Sequence, residues 1–141
     1  MKKHVIYSSL LHVVIVLASI FYMARLSILE LSVLIYLLPV VLNSFFIYLS
    51  MKQKQKIKEA NYCFPTLSLI SYLIIGLFVD TLGYWDTFIK NNTSNAGDFT
   101  VNIDSSLLGT SQIIFVLIIY FSSAYLCILL FNRRERIYGR P

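Results

Sequence analysis

Four apolar runs organise this chain, at about residues 5–22, 28–49, 63–82 and 107–131, each near the ~20 residues a helix needs to cross a bilayer core. Inside them the few polar positions recur at helical spacing. Ser8, His12 and Ser19 make one stripe, and Ser32, Tyr36, Pro39 and Asn43 make another. Between the runs lie a short turn at 25–27, a lysine-rich loop at 50–61, a longer segment at 84–106 and a basic tail at 132–141. The pattern predicts an all-α protein: a single polytopic membrane domain, residues 1–141, built as a four-transmembrane-helix bundle.

Local signals refine the ends. Ser27-Ile28-Leu29-Glu30 reads as a capping box, which gives Glu30 a structural task at the outer surface in place of a transporter carboxylate. Pro39 removes one backbone donor in mid-span and predicts a kink. The third helix is expected to begin near 61–65, where Pro65 is tolerated because early helix N–H groups have no partners. Asp80 ends that helix at the dipole's unfavourable pole, and Arg25, at the same outer level, is its candidate partner; the alternative is that Asp80 simply reaches water. In 84–106, WDTFIK looks interfacial, NNTSNAGD reads as turn, and FTVNID alternates like a short strand, so a small hairpin on the outer face is expected. Asn91-Asn92-Thr93 and Asn92-Thr93-Ser94 are overlapping sequons, meaningful only on a eukaryotic secretory route.

Placing the polar residues by depth brings out one layer. At ~1.5 Å per residue from the basic end of each span, His12 and Asn43 lie about 12 and 10 Å in, Ser68 and Ser71 about 9 and 13 Å, and Ser122 and Ser123 about 12–14 Å. This candidate polar seam has two readings. As interhelical glue it keeps polar atoms satisfied where water is absent; as a pathway it makes His12 a proton-responsive relay.

Composition agrees with lipid as the solvent: 57% of the 141 residues are hydrophobic and 13% charged, at a mean hydropathy of +0.72. A soluble domain of that size leaves too much surface exposed to hide so much apolar area. Tyr7, Phe21, Tyr22, Tyr48, Tyr62, Tyr84, Trp85 and Phe131 fall near span ends, the headgroup level that amphipathic rings prefer. The net charge of +5 matters through its distribution. Lys2, Lys3, Lys52, Lys54, Lys56, Lys58, Arg133, Arg134, Arg136 and Arg140 hold ten of the 12 basic residues, in segments alternating with those of Arg25 and Lys90. The positive-inside rule then places both termini and the lysine loop in the cytoplasm. Lys52, Lys54, Lys56, Lys58, Arg133, Arg134 and Arg136 become inner-leaflet anchors drawn to anionic lipid, and nucleic acid is not an expected partner. The first run, with VLA at 16–18, has some features of a signal peptide, but its continuation through Tyr22 favours a retained helix.

Catalytic chemistry finds no foothold. No GxSxG, HExxH, P-loop or GxGxxG occurs, and two histidines do not assemble a zinc site, so no enzyme activity, cofactor or metal is expected. Cys63 and Cys127 lack a CxxC and read as small buried thiols.

The outline resembles the small Msa (modulator of SarA) membrane proteins of staphylococci. The features that carry it are the span beginning after Met1-Lys2, the proline in LIYLLPVVLNSFF, the outer loop before the last span, and the tail NRRERIYGRP. The resemblance implies a regulatory protein of the bacterial plasma membrane that influences gene expression, with no enzymatic site. The expectation is a non-enzymatic accessory or regulatory protein acting through another membrane protein or self-association, with stress or immunity roles in the same physical class. The alternative is a small transporter or channel subunit using the seam around His12.

Overall fold

The computed structural model describes residues 2–53, 57–93, 95–96, 99–100 and 106–138, with side-chain surroundings for 3–53, 62–93 and 106–133. Helix α1 (Lys2–Tyr22) ends in a 3-10 turn, Met23–Arg25. The second span is composite: α2 (Ile28–Ser32), a π-helical turn (Val33–Leu37) and α3 (Leu38–Lys52). Then come α4 (Ile57–Thr81), the short outer helix α5 (Tyr84–Asn92), strands β1 (Asn95–Ala96) and β2 (Phe99–Thr100), and α6 (Thr110–Tyr138). Four helical stretches are long and apolar enough to cross a membrane: Lys3–Arg25, Ile28–Lys52, Tyr62–Thr81 and Thr110–Arg133. The outward faces of α1 and α6 stay uncovered, with Phe21 76% and Leu130 67% exposed, as expected of helices that leave the remaining contacts to lipid.

The capping box at Ser27 forms in both directions. Ser27 Oγ accepts from the Glu30 N–H at 3.3 Å, and the Ser27 N–H donates to Glu30 Oε2 at 2.8 Å. Helix α4 starts at Ile57, ahead of the expected 61–65, so Pro65 lies inside the helix. Proline only forfeits a donor to the residue four back, here Asn61 near the helix start, and the preceding turns wind regardless. After α5, β1 and β2 pair antiparallel, Asn95 with Thr100 and Ala96 with Phe99; the remainder of the expected FTVNID strand, 101–104, lies outside the described residues.

Pro39 has the consequence its chemistry demands, in a form the sequence did not specify. The Leu38 N–H donates to Val33 O, five residues back, which makes the turn π-helical. Pro39 has no N–H for the Ile35 carbonyl four residues behind it. Tyr120 of α6 supplies the missing donor, its hydroxyl lying 2.5 Å from Ile35 O. The defect in the second long helix is repaired by the fourth.

Helices α3 and α4 pack together; α1 lies chiefly on α4, and α6 spans both. Two apolar clusters fill the bundle. The outer one holds Ile15, Met23, Ile35, Tyr72, Ile75, Val79, Val116 and Tyr120. The inner one holds Phe46, Ile47, Met51, Phe64, Ala124 and Ile128. Between them, on α1, α3 and α4 alike, fall the buried polar residues His12, Asn43 and Ser68.

Candidate functional site

The polar layer resolves into a chain of hydrogen bonds across three helices. His12 Nε2 lies 2.7 Å from Ser68 Oγ, and Ser68 Oγ donates to Asn43 Oδ1 at 3.0 Å. On its other side, His12 Nδ1 is 2.8 Å from the Ser8 carbonyl oxygen, with Ser8 Oγ at 3.5 Å. A carbonyl only accepts, so Nδ1 carries a hydrogen. Burial is nearly complete: His12 is 2% exposed, Ser68 1% and Asn43 0%. Each bond across helices in such a medium contributes about 0.6–2 kcal/mol, and serine at the centre lets the backbones approach closely. Asn43 Nδ2 has no hydrogen-bond partner, nor do Ser19 Oγ and Ser50 Oγ.

Depth alone overestimates this layer. Ser71 returns its hydroxyl to Leu67 O at 2.9 Å in its own helix, and Ser123 does the same to Tyr120 O at 3.0 Å. Ser122 is exposed, since two residues from the buried Tyr120 turn a helix by about 200°. Equal depth does not fix which way a side chain faces. Of the six candidate seam residues, the structure joins His12, Ser68 and Asn43 and leaves Ser71, Ser122 and Ser123 apart.

Of the two readings of Asp80, the structure agrees with the one in which it reaches the surface and not with pairing to Arg25. Asp80 Oδ2 accepts from Ser106 Oγ at 2.7 Å, and Ser106 Oγ also accepts from the Leu108 N–H at 3.1 Å. Both Asp80 and Arg25 are exposed, and no ion pair joins them among the described residues. Ser106 thus ties the end of the outer segment to α4, with the Tyr72 hydroxyl donating to Leu107 O one residue on. Gly76 leaves room for the Leu108 side chain, which a Cβ at that position would strike.

The end of the bundle that carries α5 holds a clamp the sequence reading missed. Helix α5 buries Trp85 and Phe88, their rings stacked at 5.0 Å, over the buried Met23. Its last residues grip the first turn: Asn91 Nδ2 donates to Ala24 O at 2.8 Å, and Asn92 Nδ2 to Leu26 O at 3.0 Å. Asn92 Oδ1 in turn accepts from the Ile28 N–H at 3.2 Å. One amide side chain therefore pairs with a carbonyl and an N–H of a turning backbone, as a neighbouring strand would. The signal was present as NN before the turn cluster, but it reads equally as loop composition. Asn92→Ala is expected to lose these bonds at ~1 kcal/mol each, speeding amide exchange in 84–92 while leaving the four long helices unchanged.

Of the residues expected to anchor at the inner leaflet, Lys52 and Arg133 are exposed towards the ends of α3 and α6. Lys54 and Lys56 lie outside the described residues, as do the side chains of Lys58, Arg134 and Arg136. Cys63 and Cys127 are half-buried and not joined in a disulfide, and Cys127 Sγ lies 3.5 Å from Ser44 O. Among the described residues no three metal-ligating side chains converge. No protein family, curated protein or solved structure matched this chain.

Proposed function

We infer that this is a multi-pass protein of a cell membrane, with both termini in the cytoplasm, that acts without catalysis through contacts with another membrane protein. The observation that carries the reading is the outer clamp. Asn91 and Asn92 fasten α5 to the first turn while Trp85 and Phe88 anchor its inner side. Tyr84, Asp86, Thr87 and Lys90 are left exposed on a helix held in one orientation, and a fixed face presents a partner with little ordering to be done. Resemblance to Msa-type proteins points in the same direction, towards a regulatory role in a bacterial plasma membrane. The cytoplasmic surface of the proposal is the lysine loop and arginine tail, seated on anionic lipid. A transporter or channel would require water at the triad, and the burial of His12, Ser68 and Asn43 favours a packed bundle instead.

Orientation is tested by labelling. In a background free of Cys63 and Cys127, a cysteine at Asn95 is expected to react with an impermeant thiol reagent on intact cells. A cysteine at Gln55 should react only after the membrane is opened, and the reverse order would invert every loop. Function is tested by a photocrosslinking residue at Thr87, compared with one at Leu126 on the exposed apolar face of α6. A discrete protein adduct from Thr87 alone supports the reading. Lipid adducts from both positions, with no protein adduct, would remove it.

A further inference from the structure

Hydrogen counting along the buried chain leads beyond interhelical glue. With Nδ1–H given to the Ser8 carbonyl, a neutral His12 offers only a lone pair at Nε2. Ser68 has one hydroxyl hydrogen and two neighbours, His12 Nε2 at 2.7 Å and Asn43 Oδ1 at 3.0 Å, so it donates to one of them only. A neutral imidazole beside the amide oxygen leaves two acceptors facing each other across one of these contacts. Two arrangements remove the conflict. In the first, the Asn43 amide turns over, so that Nδ2 donates to Ser68 Oγ, Ser68 donates to Nε2, and Nδ1 donates to Ser8 O. In the second, His12 carries two hydrogens, Nε2–H donates to Ser68, and Ser68 donates to Asn43 Oδ1. Amide oxygen and nitrogen are nearly the same size, so either orientation fits the same space. Each arrangement makes all three bonds and leaves one Asn43 atom unpaired: Oδ1 in the first, Nδ2 in the second, the atom found without a partner here.

We propose that His12, Ser68 and Asn43 form a reversible proton-binding site in which rotation of the Asn43 amide accompanies protonation of His12. The step balances: one proton adds to the Nε2 lone pair, the Ser68 hydroxyl hydrogen swings from Nε2 to Oδ1, and the amide turns by half a revolution. No hydrogen bond is lost and no helix has to move. The surroundings add no competing charge. Helix α1 carries none between Lys3 and Arg25, and the second span none between Glu30 and Lys52. On α4 the stretch from Glu59 to Asp80 is also uncharged. Besides these bounding residues, the titratable side chains that the elements packed on α1 carry are Lys58, next to Glu59 at the start of α4, and Tyr36, Tyr48, Tyr62, Cys63 and Tyr72. His4 lies two turns away on α1, where its Nε2 meets Gln53 Oε1 at 2.9 Å. Arg25 is 13 residues from His12, ~20 Å along the helix.

The chain has two histidines, so His4→Gln leaves a single imidazole to follow by nitrogen NMR in bicelles of the full-length protein. At alkaline pH the hydrogen is expected on Nδ1, with Nε2 bare; on acidification both nitrogens become protonated in one step. Asn43→Asp, which only accepts, should hold the second proton to a pH at least one unit higher, a ten-fold gain in proton affinity. Asn43→Leu, which leaves Ser68 without its acceptor, should weaken that affinity about ten-fold. Three results would each overturn the site: a neutral form protonated at Nε2, an imidazole that stays neutral between pH 4 and 9, or identical titration in parent and both variants. The parent titration alone decides the first two, so a variant that fails to fold does not shelter the proposal.

Discussion

Tyr120→Phe is expected to destabilise the bundle by about 1–2 kcal/mol although the ring remains in place. The hydroxyl is the only part removed, and it serves a carbonyl that Pro39 has deprived of its helical donor. Ile35 is 2% exposed, so water does not replace the lost hydrogen bond. Restoring a backbone donor should make the hydroxyl dispensable. Pro39→Ala supplies an N–H four residues after Ile35, and the π-helical turn can then relax to α-helix. In that background Tyr120→Phe should cost less than half as much, read as thermal unfolding in mild detergent. Equal costs in the two backgrounds would mean that Tyr120 acts through packing alone.

The four long apolar helices were legible because each apolar run approaches the fixed length scale of a bilayer. The capping box was legible because Ser27 and Glu30 are close in sequence and their pairing is local. The triad was half legible. Depth along a helix is arithmetic, so His12, Asn43 and Ser68 were placed at one level; the direction in which a side chain faces is set by packing, so Ser71, Ser122 and Ser123 were grouped with them. Tyr120 shows what a fuller reading needs. Pro39 announces an orphaned carbonyl, and a tyrosine on another span at matching depth is a chemically apt donor, but pairing them requires knowing that α3 and α6 are neighbours. Asp80 carries the same lesson. Its exposure is legible at a helix end, but its partner Ser106, 26 residues away, is not, because opposite charge at equal depth offers only Arg25 as a candidate. The Asn91–Asn92 clamp was hidden more deeply, because asparagines before a turn are ordinary loop composition until the first turn is known to lie beneath them.

A mutant cycle through Ser68 separates a structural triad from a pathway. His12→Ala and Asn43→Ala are each expected to lower stability in detergent, since each strands a buried partner in a medium without water. The double mutant should cost less than the sum, by ~0.5 kcal/mol or more, because the second change removes a group already deprived of its neighbour. His12 and Asn43 do not bond to each other; both bond to Ser68. Their coupling must therefore pass through that hydroxyl. In a Ser68→Ala background the same two substitutions should become additive, and Ser68→Ala alone should cost about 1–2 kcal/mol by loosening α4 from α1 and α3 together. Coupling that persists without the hydroxyl would assign the effect to helix packing. A transport pathway predicts another pattern: hydrated residues exchange protein partners for water, so His12→Ala would abolish a pH-dependent flux in liposomes with little change in stability. Loss of stability, coupling that vanishes with Ser68 and no flux in the parent protein are the results expected of three helices fastened at one buried hydroxyl.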